Sequence, residues 1–284
     1  MHRFSSGPKT SYYGKGDVSV YRLNRDGTSP GVFGANVLIL IYGDAFWPTY
    51  TTGDNSSLVA TDSMKNFIQR ETLNFLGDDL ESYCHFIAEK FLVTYPQAEG
   101  AQVSASRIPY DPLPGSNEVT FAPSGPEFAT AKVEIVREGS LLRTLEARSG
   151  IQGFRLLRLN GSAFKGFVRD EYTTLPDIAN RPLHMWLDLD WTYVDASAAF
   201  SSGAITAAVR KLVHDVFDSF ESGSIQQVIY QIGMKMLAEI PAIAEVNQEA
   251  NNRTWDTVVE RGSSVGVFTE ARPPYGCLGL TLKR

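Results

Sequence analysis

The sequence predicts an α+β fold of two tandem domains, each an antiparallel four-stranded sheet with two helices on one face. Short segments of alternating apolar and polar residues indicate strands, and two pairs of longer segments carry apolar residues at helical spacing. The order strand, strand, helix, helix, strand, strand occurs twice in the 284 residues. An antiparallel sheet covered on one face by a helix pair is the simplest way to bury both patterns.

The first domain, residues 12–148, is predicted to follow a flexible polar tail at residues 1–11. Helices are expected from Thr61 and from Leu80 to Tyr95, and the second helix ends there because Pro96 cannot continue it. The predicted turns are Asp26-Gly27 and Asp54-Asn55. The predicted strands are Asp17–Arg25, Ala35–Phe46, Ser57–Ala60 and residues 99–108, 117–122, 129–137 and 140–147.

The second domain, residues 149–284, repeats this layout with little residue identity to the first. Its two helices carry apolar faces from Val209 to Phe220 and from Ile225 to Met236. The predicted strands are Ile151–Leu159, His184–Val194 and residues 241–250, 254–260, 264–269 and 277–282. The second face of each sheet also carries apolar residues, so we expect the sheets to close into a barrel with other subunits.

Composition excludes several classes of protein. A net charge of −6 without dense Lys/Arg runs argues against a nucleic-acid surface. The longest apolar run, Val37–Tyr42, is too short to cross a bilayer. Cys84 and Cys277 cannot form a disulfide framework, and Cys84, on an apolar helical stripe, is predicted to be an inert buried thiol. With no signal-length apolar segment and no Ser-Lys-Leu ending, cytoplasm is the expected compartment.

Motifs for metals, nucleotide cofactors and serine catalysis are absent from the sequence. The histidines lack HxH or HExxH spacing, and no CxxC pair, GxGxxG or GxxxxGK[ST] loop, or GxSxG elbow occurs. The four histidines are His2, His85, His184 and His214. We therefore expect any catalysis to proceed without a cofactor or a protein-bound metal.

The segment FKGFVRDEYTTLPDIANR, from Phe164 to Arg181, combines an aromatic ring with a guanidinium. A planar anionic ligand is bound by such a pair, since the ring stacks on its face and the fork of donors meets its edge. The alternative is a core phenylalanine beside a helix with surface ion pairs, which the segment by itself favours.

Thr61 and Lys15 have a structural and a functional interpretation each. Thr61 before Asp62 at the start of an apolar-periodic run is typical of a helix N-cap, and the same position offers free N–H groups to an anion or oxyanion. Lys15, between two glycines, favours a solvated turn. It becomes a candidate base only where the fold buries it.

Four segments together resemble urate oxidase (uricase). They are YGKGDVSVYRLNRDG, DNSSLVATDSMKNFI, FKGFVRDEYTTLPDIANR and GSIQQVIYQIG. They occur in the family's order, and the resemblance extends from about Tyr13 to the C-terminus. VATDSMKN and GFVRDEYTTLPD are long and specific, so chance agreement is a poor explanation.

The resemblance implies a fold, an assembly and a reaction. Urate oxidases have two tunnelling-fold (T-fold) domains per chain and form homotetramers that enclose a tunnel. They convert urate, O2 and water to 5-hydroxyisourate and hydrogen peroxide without metal or organic cofactor. Their sites lie at subunit interfaces, where a Lys and a Thr of one chain face the urate-binding residues of another.

The same resemblance assigns roles by position in this sequence. Phe164 stacks on the purine and Arg181 grips it in its plane. Gln226 lies opposite Arg181, with backbone contacts from Ile225. The remaining roles are Lys15 and Thr61 in the proton relay, the Asp62 N–H at the ligand edge, and Asn251 holding O2 or water above the ring. From the residues by themselves, Gln226 could be a surface helix residue and Asn251-Asn252 a turn.

One position departs from the family pattern. The family's relay is completed by a His two residues after the Asn, where this chain has Arg253 in ANNRTWDT. Arginine stays protonated in proteins and cannot accept a proton. The relay then runs through Lys15, Thr61 and water, or the local alignment differs, or the reaction is altered. Our hypothesis is that Arg253 stabilises negative charge on urate or peroxide.

Two further functions stay open at this point. A purine-binding relative could have kept the pocket and lost oxidation because of Arg253. Another T-fold enzyme that handles pterins is the second alternative, although its zinc-using members are disfavoured by the absent histidine ligands. Aerobic addition of urate, with a pterin beside it, separates the three hypotheses.

Overall fold

The computed structural model describes residues 11–25, 31–115, 119–201, 203–262 and 264–284, which form an α+β structure with antiparallel strand pairs. This confirms the predicted α+β class. The chain divides into two compact units. Unit 1 comprises the residues up to Gly150 with Thr192–Ala204, and unit 2 comprises Ile151–Trp191 with Ile205–Arg284.

In unit 1, neighbouring strands are hydrogen-bonded in the order β1, β2, β3, β6 and the first half of β7. Helices α2 and α3 lie against this sheet, α2 on β1 and α3 on β3 and β6. The strands are β1 (Tyr13–Leu23), β2 (Val32–Tyr42), β3 (Gly100–Arg107), β4 (Tyr110–Pro112), β5 (Phe121–Pro123), β6 (Phe128–Glu138) and β7 (Leu141–Arg158). The helices are α1 (Trp47–Thr51), α2 (Thr61–Glu71) and α3 (Leu80–Thr94).

The core of unit 1 lies between its sheet and its helices. Alternate residues of β2 from Phe33 to Ile41 are buried, as expected for a strand with one face on the core. The Phe33 ring meets Tyr83 of α3 with 5.0 Å between centroids. Cys84 is fully buried, and burial raises its pKa, so the prediction of an inert thiol is supported.

In unit 2, neighbouring strands follow the order β7, β8, β9 and β12, and α5 packs on β9 and β12. A separate hairpin is formed by β10 and β11. The strands are β8 (Leu183–Tyr193), β9 (Ile243–Asn252), β10 (Thr257–Arg261), β11 (Val265–Phe268) and β12 (Gly276–Lys283). The helices are α4 (Ala204–Ser219) and α5 (Ile225–Glu239).

Several predicted boundaries were wrong. The strand predicted to end at Phe46 ends at Tyr42, because Asp44–Phe46 form a 3₁₀ turn. Ser57–Ala60 is not a strand, because the Val59 N–H donates to the Tyr13 hydroxyl and not to a carbonyl of a neighbouring strand. The strands predicted at 140–147 and 151–159 are one strand, β7. The Asp26-Gly27 turn and residues 1–10 of the tail lie outside the described residues.

An arginine side chain binds a carbonyl in the last turn of α3, α4 and α5, and a fourth arginine binds carbonyls a few residues beyond α2. Arginine side chains near helix C-termini bind carbonyls that lack intrahelical donors, and their charge favours that end of the helix dipole. The four arginines are Arg22 (to Phe75 O and Gly77 O, beyond α2), Arg137 (to Leu92 O of α3), Arg158 (to Phe217 O of α4) and Arg284 (to Leu237 O of α5).

No helix within the described parts of the chain has the length and apolar character needed to span a membrane.

Candidate active site

Lys15 lies inside β1, so the predicted solvated turn ahead of the strand was wrong. It pairs with Ile39 of β2, and the register shifts between Lys15 and Val18. In this bulge Asp17 has a φ of 55°, a left-handed conformation that few non-glycine residues adopt. Bulges redirect the side chains beside them, and here the bulge accompanies a half-buried lysine.

The Tyr13 hydroxyl connects β1 to the segment before α2. It accepts a hydrogen bond from the Val59 N–H at 2.9 Å, and its ring meets Phe46 edge-on at 5.2 Å. Burial raises the pKa of Tyr13 to about 12, so the hydroxyl stays protonated at neutral pH. This contact holds the residues just before Thr61 beside the strand that carries Lys15.

Thr61 is the first residue of α2 and not its N-cap, which corrects the capping prediction. The N-cap is Ala60, which has an extended backbone (φ −59°, ψ 136°) and no side chain that could cap the helix. Its carbonyl accepts the Met64 N–H at 3.2 Å. Thr61 is exposed, and its hydroxyl is therefore not used for capping.

Asp62 follows Thr61 in the first turn of α2. Its carboxylate accepts hydrogen bonds from Lys65 Nζ at 2.5 Å and from Asn66 Nδ2 at 3.0 Å. The Lys65 ammonium, and to a smaller degree Lys15, hold the pKa of Asp62 below its usual value. The first-turn N–H groups of a helix have no intrahelical acceptor. The end of α2 that carries the Thr61 hydroxyl and these N–H groups therefore also lies within the electrostatic reach of Lys15.

Phe164 follows β7 in unit 2 and is half-buried rather than a core residue. Its backbone makes a two-way bridge with Ile178, at 2.8 Å and 2.9 Å. The Phe167 ring stacks on it with 5.0 Å between centroids and 18° between planes. Residues 159–182 contain no helix, so the alternative of a core phenylalanine beside a helix was wrong.

Arg181 lies next to Phe164, as the ring-and-guanidinium interpretation requires. Its N–H donates to Ser162 O at 2.8 Å, and its Cζ lies over the Phe164 ring at 5.7 Å from the centroid. Burial lowers the pKa of Arg181. Its Nε is buried and has no hydrogen-bond partner among the described residues, so one donor of this guanidinium is left unpaired.

The start of α5 is built by a reciprocal capping arrangement. The Ser224 hydroxyl accepts the Gln227 N–H at 3.1 Å, and Gln227 Oε1 accepts the Gly223 N–H at 2.7 Å. Ile225 is buried and anchors the first turn, whereas Gln226 is exposed. Because Ser224 and Gln227 make the capping hydrogen bonds, the Gln226 carboxamide remains for other contacts.

Backbone hydrogen bonds join the segment before Phe164 to the segment before α5. Ala163 N–H donates to Ser222 O at 2.8 Å, and Ser222 N–H donates to Gly161 O at 2.9 Å. Ser162 and Ser222 pair in a parallel bridge, and both are almost fully buried. We call residues 161–163 with Ser222 the pocket junction, because it connects the Phe164–Arg181 segment to the helix start.

Asn251 lies in β9 and not in a turn, which corrects the structural alternative for Asn251-Asn252. It pairs with Cys277 of β12, and its Oδ1 lies 3.9 Å from the Cys277 sulfur. β-strand geometry fixes the direction of this side chain more firmly than a turn would.

Arg253 is held between two aromatic rings. Its Cζ lies 3.7 Å from the Trp186 centroid and 3.4 Å from the Tyr275 centroid. Its N–H donates to His184 O at 3.0 Å, and its buried Nε has no hydrogen-bond partner within the described chain. A guanidinium stacked in this way is a fixed cation with donors in its plane.

A cavity of about 260 Å³ adjoins Arg181 in unit 2. Its lining includes Arg181, His184 and Trp255, and each of these has a buried side-chain nitrogen without a partner among the described residues. Burial lowers the pKa of His184 below its ordinary value of 6.5. Phe164 and Gln226 are not in the lining, so the cavity adjoins the predicted purine site on the Arg181 side only.

Sequence reasoning missed four residues that contact or position the candidate site residues of the two units. They are Tyr13, Arg158, Trp186 and Tyr275. Trp186 follows His184 by two residues on the same face of β8, which is a readable signal, and Tyr13 is the first residue of the YGKG motif. The partners of Arg158 and the position of Tyr275 over Arg253 depend on distant segments, and nothing local indicates them.

Within the described residues, no group of three or more His, Cys, Asp or Glu side chains is arranged to hold a metal ion.

Comparison with known proteins gives one family. A family model described as Uricase matches residues 11–134 and 147–277. The chain is 37% identical to the uric acid degradation bifunctional protein PucL of Bacillus subtilis over 97% of its own length and 61% of that protein. It is 36% identical to a uricase of Haloferax volcanii, covering 96% of this chain and 97% of the relative.

Solved structures agree with these relatives. A uricase from Bacillus fastidious superposes with a TM-score of 0.88 at 36% identity, covering 98% of this chain and 94% of the other. A urate oxidase of Bacillus sp. TB-90 gives a TM-score of 0.87 at 36% identity, covering 97% and 100%. The chain spans about three-fifths of the length of the two bifunctional relatives.

Proposed function

The chain belongs to the uricase family, and we propose that it oxidises urate with O2 in uric acid degradation. Urate, O2 and water give 5-hydroxyisourate and hydrogen peroxide, with carbon 5 of the purine oxidised and O2 reduced by two electrons. The proposal rests chiefly on Arg181 lying over the ring of Phe164 at 5.7 Å, with one guanidinium donor unpaired.

Substrate binding is assigned to unit 2. Urate is flat, anionic and amide-like, so a guanidinium fork and a carboxamide pair with both its acceptors and its donors. Arg181 and Gln226 take these parts, and Ile225 adds backbone contacts. The purine stacks on the face of Phe164 that Phe167 leaves open. Asn251 holds O2 or water above the ring, and this proximity supplies orientation.

Proton transfer is assigned to unit 1. Lys15 and Thr61 relay the proton that urate loses, and the Asp62 N–H meets the edge of the ligand. Support comes from the half-buried position of Lys15 and from a Thr61 hydroxyl that no capping contact occupies. A helix N-terminus also favours the negative charge that develops on the purine.

Arg253 stands where the family pattern has a relay histidine, and it cannot accept a proton. Its place between Trp186 and Tyr275 supports a different part, the stabilisation of negative charge on urate or peroxide. The proton path then consists of Lys15, Thr61 and water. This departure does not favour a binding protein without oxidation.

We further propose two T-fold domains, residues 12–148 and 149–284, and a homotetramer with sites shared between subunits. Lys15 and Thr61 of one copy then face Phe164 and Arg181 of another. No metal or organic cofactor is needed, because held O2, a proton relay and charge stabilisation supply the reaction's requirements.

Aerobic incubation with urate tests the function. We expect loss of the ultraviolet absorbance of urate with an equal molar uptake of O2 and formation of hydrogen peroxide. Arg181→Ala and Gln226→Ala should raise KM for urate, and a pterin should not be consumed. Urate binding without O2 uptake would instead identify a purine-binding relative, and turnover of the pterin alone would contradict the proposal.

A further inference from the structure

Arg158, the last residue of β7, donates to four acceptors on three segments. Nη1 binds Phe217 O at 2.8 Å and Phe220 O at 2.5 Å, at the end of α4. Nη2 binds Gly161 O at 2.9 Å and Ser222 Oγ at 2.5 Å, in the pocket junction. One guanidinium therefore connects the end of α4 to the segments that lead into the predicted pocket.

The acceptors on the junction side belong to segments that lead directly to the proposed pocket residues. Gly161 O also accepts the Ser222 N–H at 2.9 Å, and the next junction residue, Ser162, accepts the Arg181 N–H at 2.8 Å. Phe164 follows two residues after Ser162, and α5 begins shortly after Ser222. A displacement of this junction by a fraction of an ångström would move the stacking ring relative to Gln226.

We propose that Arg158 is a positioning residue of the purine pocket, which fixes the Phe164–Arg181 segment relative to the start of α5. The inference deepens the proposed function and rests on it. Arg158 does not touch the ligand. It acts through the pocket junction, whose two almost fully buried serines keep it free of competing solvent.

The geometry requires an arginine at this position. The planar guanidinium carries five donors in a rigid fork, so it can serve acceptors on two sides at once. Its Cζ also lies over the rings of Phe217 and Phe220, at 5.3 Å and 5.9 Å from their centroids. A lysine ammonium keeps the charge but is a point donor, and it cannot span the end of α4 and the junction together.

Arg284 provides a matched control in the same unit. It performs the same kind of helix closure on α5, with donors to Leu237 O and Ile240 O and a further bond to Ile243 O. It has no bond to the pocket junction. Arg158→Lys and Arg284→Lys therefore both weaken a helix end, but only the first should disturb the pocket.

The experiment measures steady-state kinetics with urate and with O2, the thermal midpoint Tm, and the Kd of xanthine as a purine that lacks the oxygen at carbon 8. We expect Arg158→Lys to raise the KM for urate and the Kd for xanthine by about tenfold. The KM for O2 should not change. Arg158→Lys and Arg284→Lys should lower Tm by similar amounts. Arg284→Lys should leave the KM for urate and the Kd for xanthine at wild-type values.

Ser222→Ala is a second variant, because it removes one acceptor and keeps the arginine and the closure of α4. A rise of about two- to threefold in both purine constants is expected, and this variant decides the question where Arg158→Lys does not fold. Wild-type purine constants in Arg158→Lys, or an equal rise in Arg284→Lys, would overturn the proposal. If the wild type binds urate without oxidising it, the binding constants still test Arg158 separately from the reaction.

Discussion

At the scale of single residues, the position of the Arg253 side chain is fixed by residues that are distant in the sequence. Trp186 and Tyr275 hold the guanidinium at 3.7 Å and 3.4 Å from their ring centroids. Stacking fixes the plane of the cation and leaves its edge for hydrogen bonds. The inability of Arg253 to accept a proton follows from the sequence, but its position between two aromatic rings is visible only in the fold.

Arg253→Ala should lower kcat by about ten- to a hundredfold, because a preorganised charge near the reacting atoms is lost. Arg253→His should change the pH profile of kcat, since histidine titrates near neutrality. Steady-state kinetics across pH measures both. Arg272→Ala, at an exposed arginine 3.2 Å from Asp256, is the control and should keep wild-type kinetics. Unchanged turnover and pH profile in both Arg253 variants would remove the catalytic role.

His184 should make the folded state less stable as the pH falls. Burial is the main cause that lowers its pKa from 6.5, while Arg155 and Arg253 lower it further and Glu270 and the Arg253 backbone oppose this. The unfolded chain therefore binds a proton as pH falls through about 6.5 before the folded state does, and stability is lost below that pH.

His184→Gln should flatten the decline of Tm between about pH 7 and pH 5, because the group with the shifted pKa is gone. Thermal unfolding at a series of pH values measures it. His214→Gln, at an exposed histidine, serves as the comparison and should keep the wild-type slope. An identical slope in wild type and His184→Gln would contradict the assignment.

At the scale of elements, the start of α2 and the bulge in β1 carry the residues proposed for the proton relay. The helix begins one residue earlier than capping by Thr61 would require, so the Thr61 hydroxyl is not taken up by capping. The bulge lies beside Lys15, and Gly14 allows the close approach of β1 to β2. A Cβ at Gly14 would lie 1.8 Å from the Ile39 carbonyl oxygen, which no side chain can tolerate.

Gly14→Ala should destabilise the protein by about 1–3 kcal/mol and displace Lys15, because the strands must separate to admit the methyl group. Urea unfolding and kcat measure the two effects. Gly16→Ala is the matched substitution, since its Cβ would meet only Leu38 Cδ1 at 3.4 Å. Equal stability of the two variants would show that the close approach at Gly14 is not limiting.

At the scale of the whole molecule, both units use arginine side chains to bind carbonyls at or near helix ends. In unit 2, Arg158 of β7 binds a carbonyl at the end of α4, and Arg284, just after β12, binds one at the end of α5. In unit 1, Arg137 of β6 binds a carbonyl at the end of α3, whereas Arg22 of β1 binds carbonyls a few residues beyond α2. The halves share little sequence, so no repeated motif marks these arginines.

The proposed sharing of the site between subunits predicts complementation. Lys15→Met should inactivate the relay half and Arg181→Ala the purine half, so neither homo-oligomer should oxidise urate. In a randomly mixed oligomer, about one site in four combines two intact halves. Co-expressed chains should therefore recover about a quarter of the wild-type O2 uptake. Recovery of no activity in verified mixed oligomers would mean that both halves belong to one chain.

The sequence by itself determined the α+β class, the family and the positions of the main helices, and it proposed the site residues. These follow from local patterns, because apolar periodicity, Pro96 and long motifs such as GFVRDEYTTLPD are written in consecutive residues. Strand boundaries such as Tyr42 and Ser57–Ala60 were less predictable, since a hydrogen bond from a distant residue decides whether a segment pairs.

Only the tertiary structure decided which groups are free and which are held. The pattern at Thr61 indicated a cap, and the fold assigned that place to Ala60. The pattern at Lys15 indicated a turn, and pairing with β2 made it a half-buried strand residue. Arg158 and Arg253 acquired their partners from segments that are remote in sequence. Long-range contacts of this kind depend on how sheets and helices pack, and no local pattern encodes them.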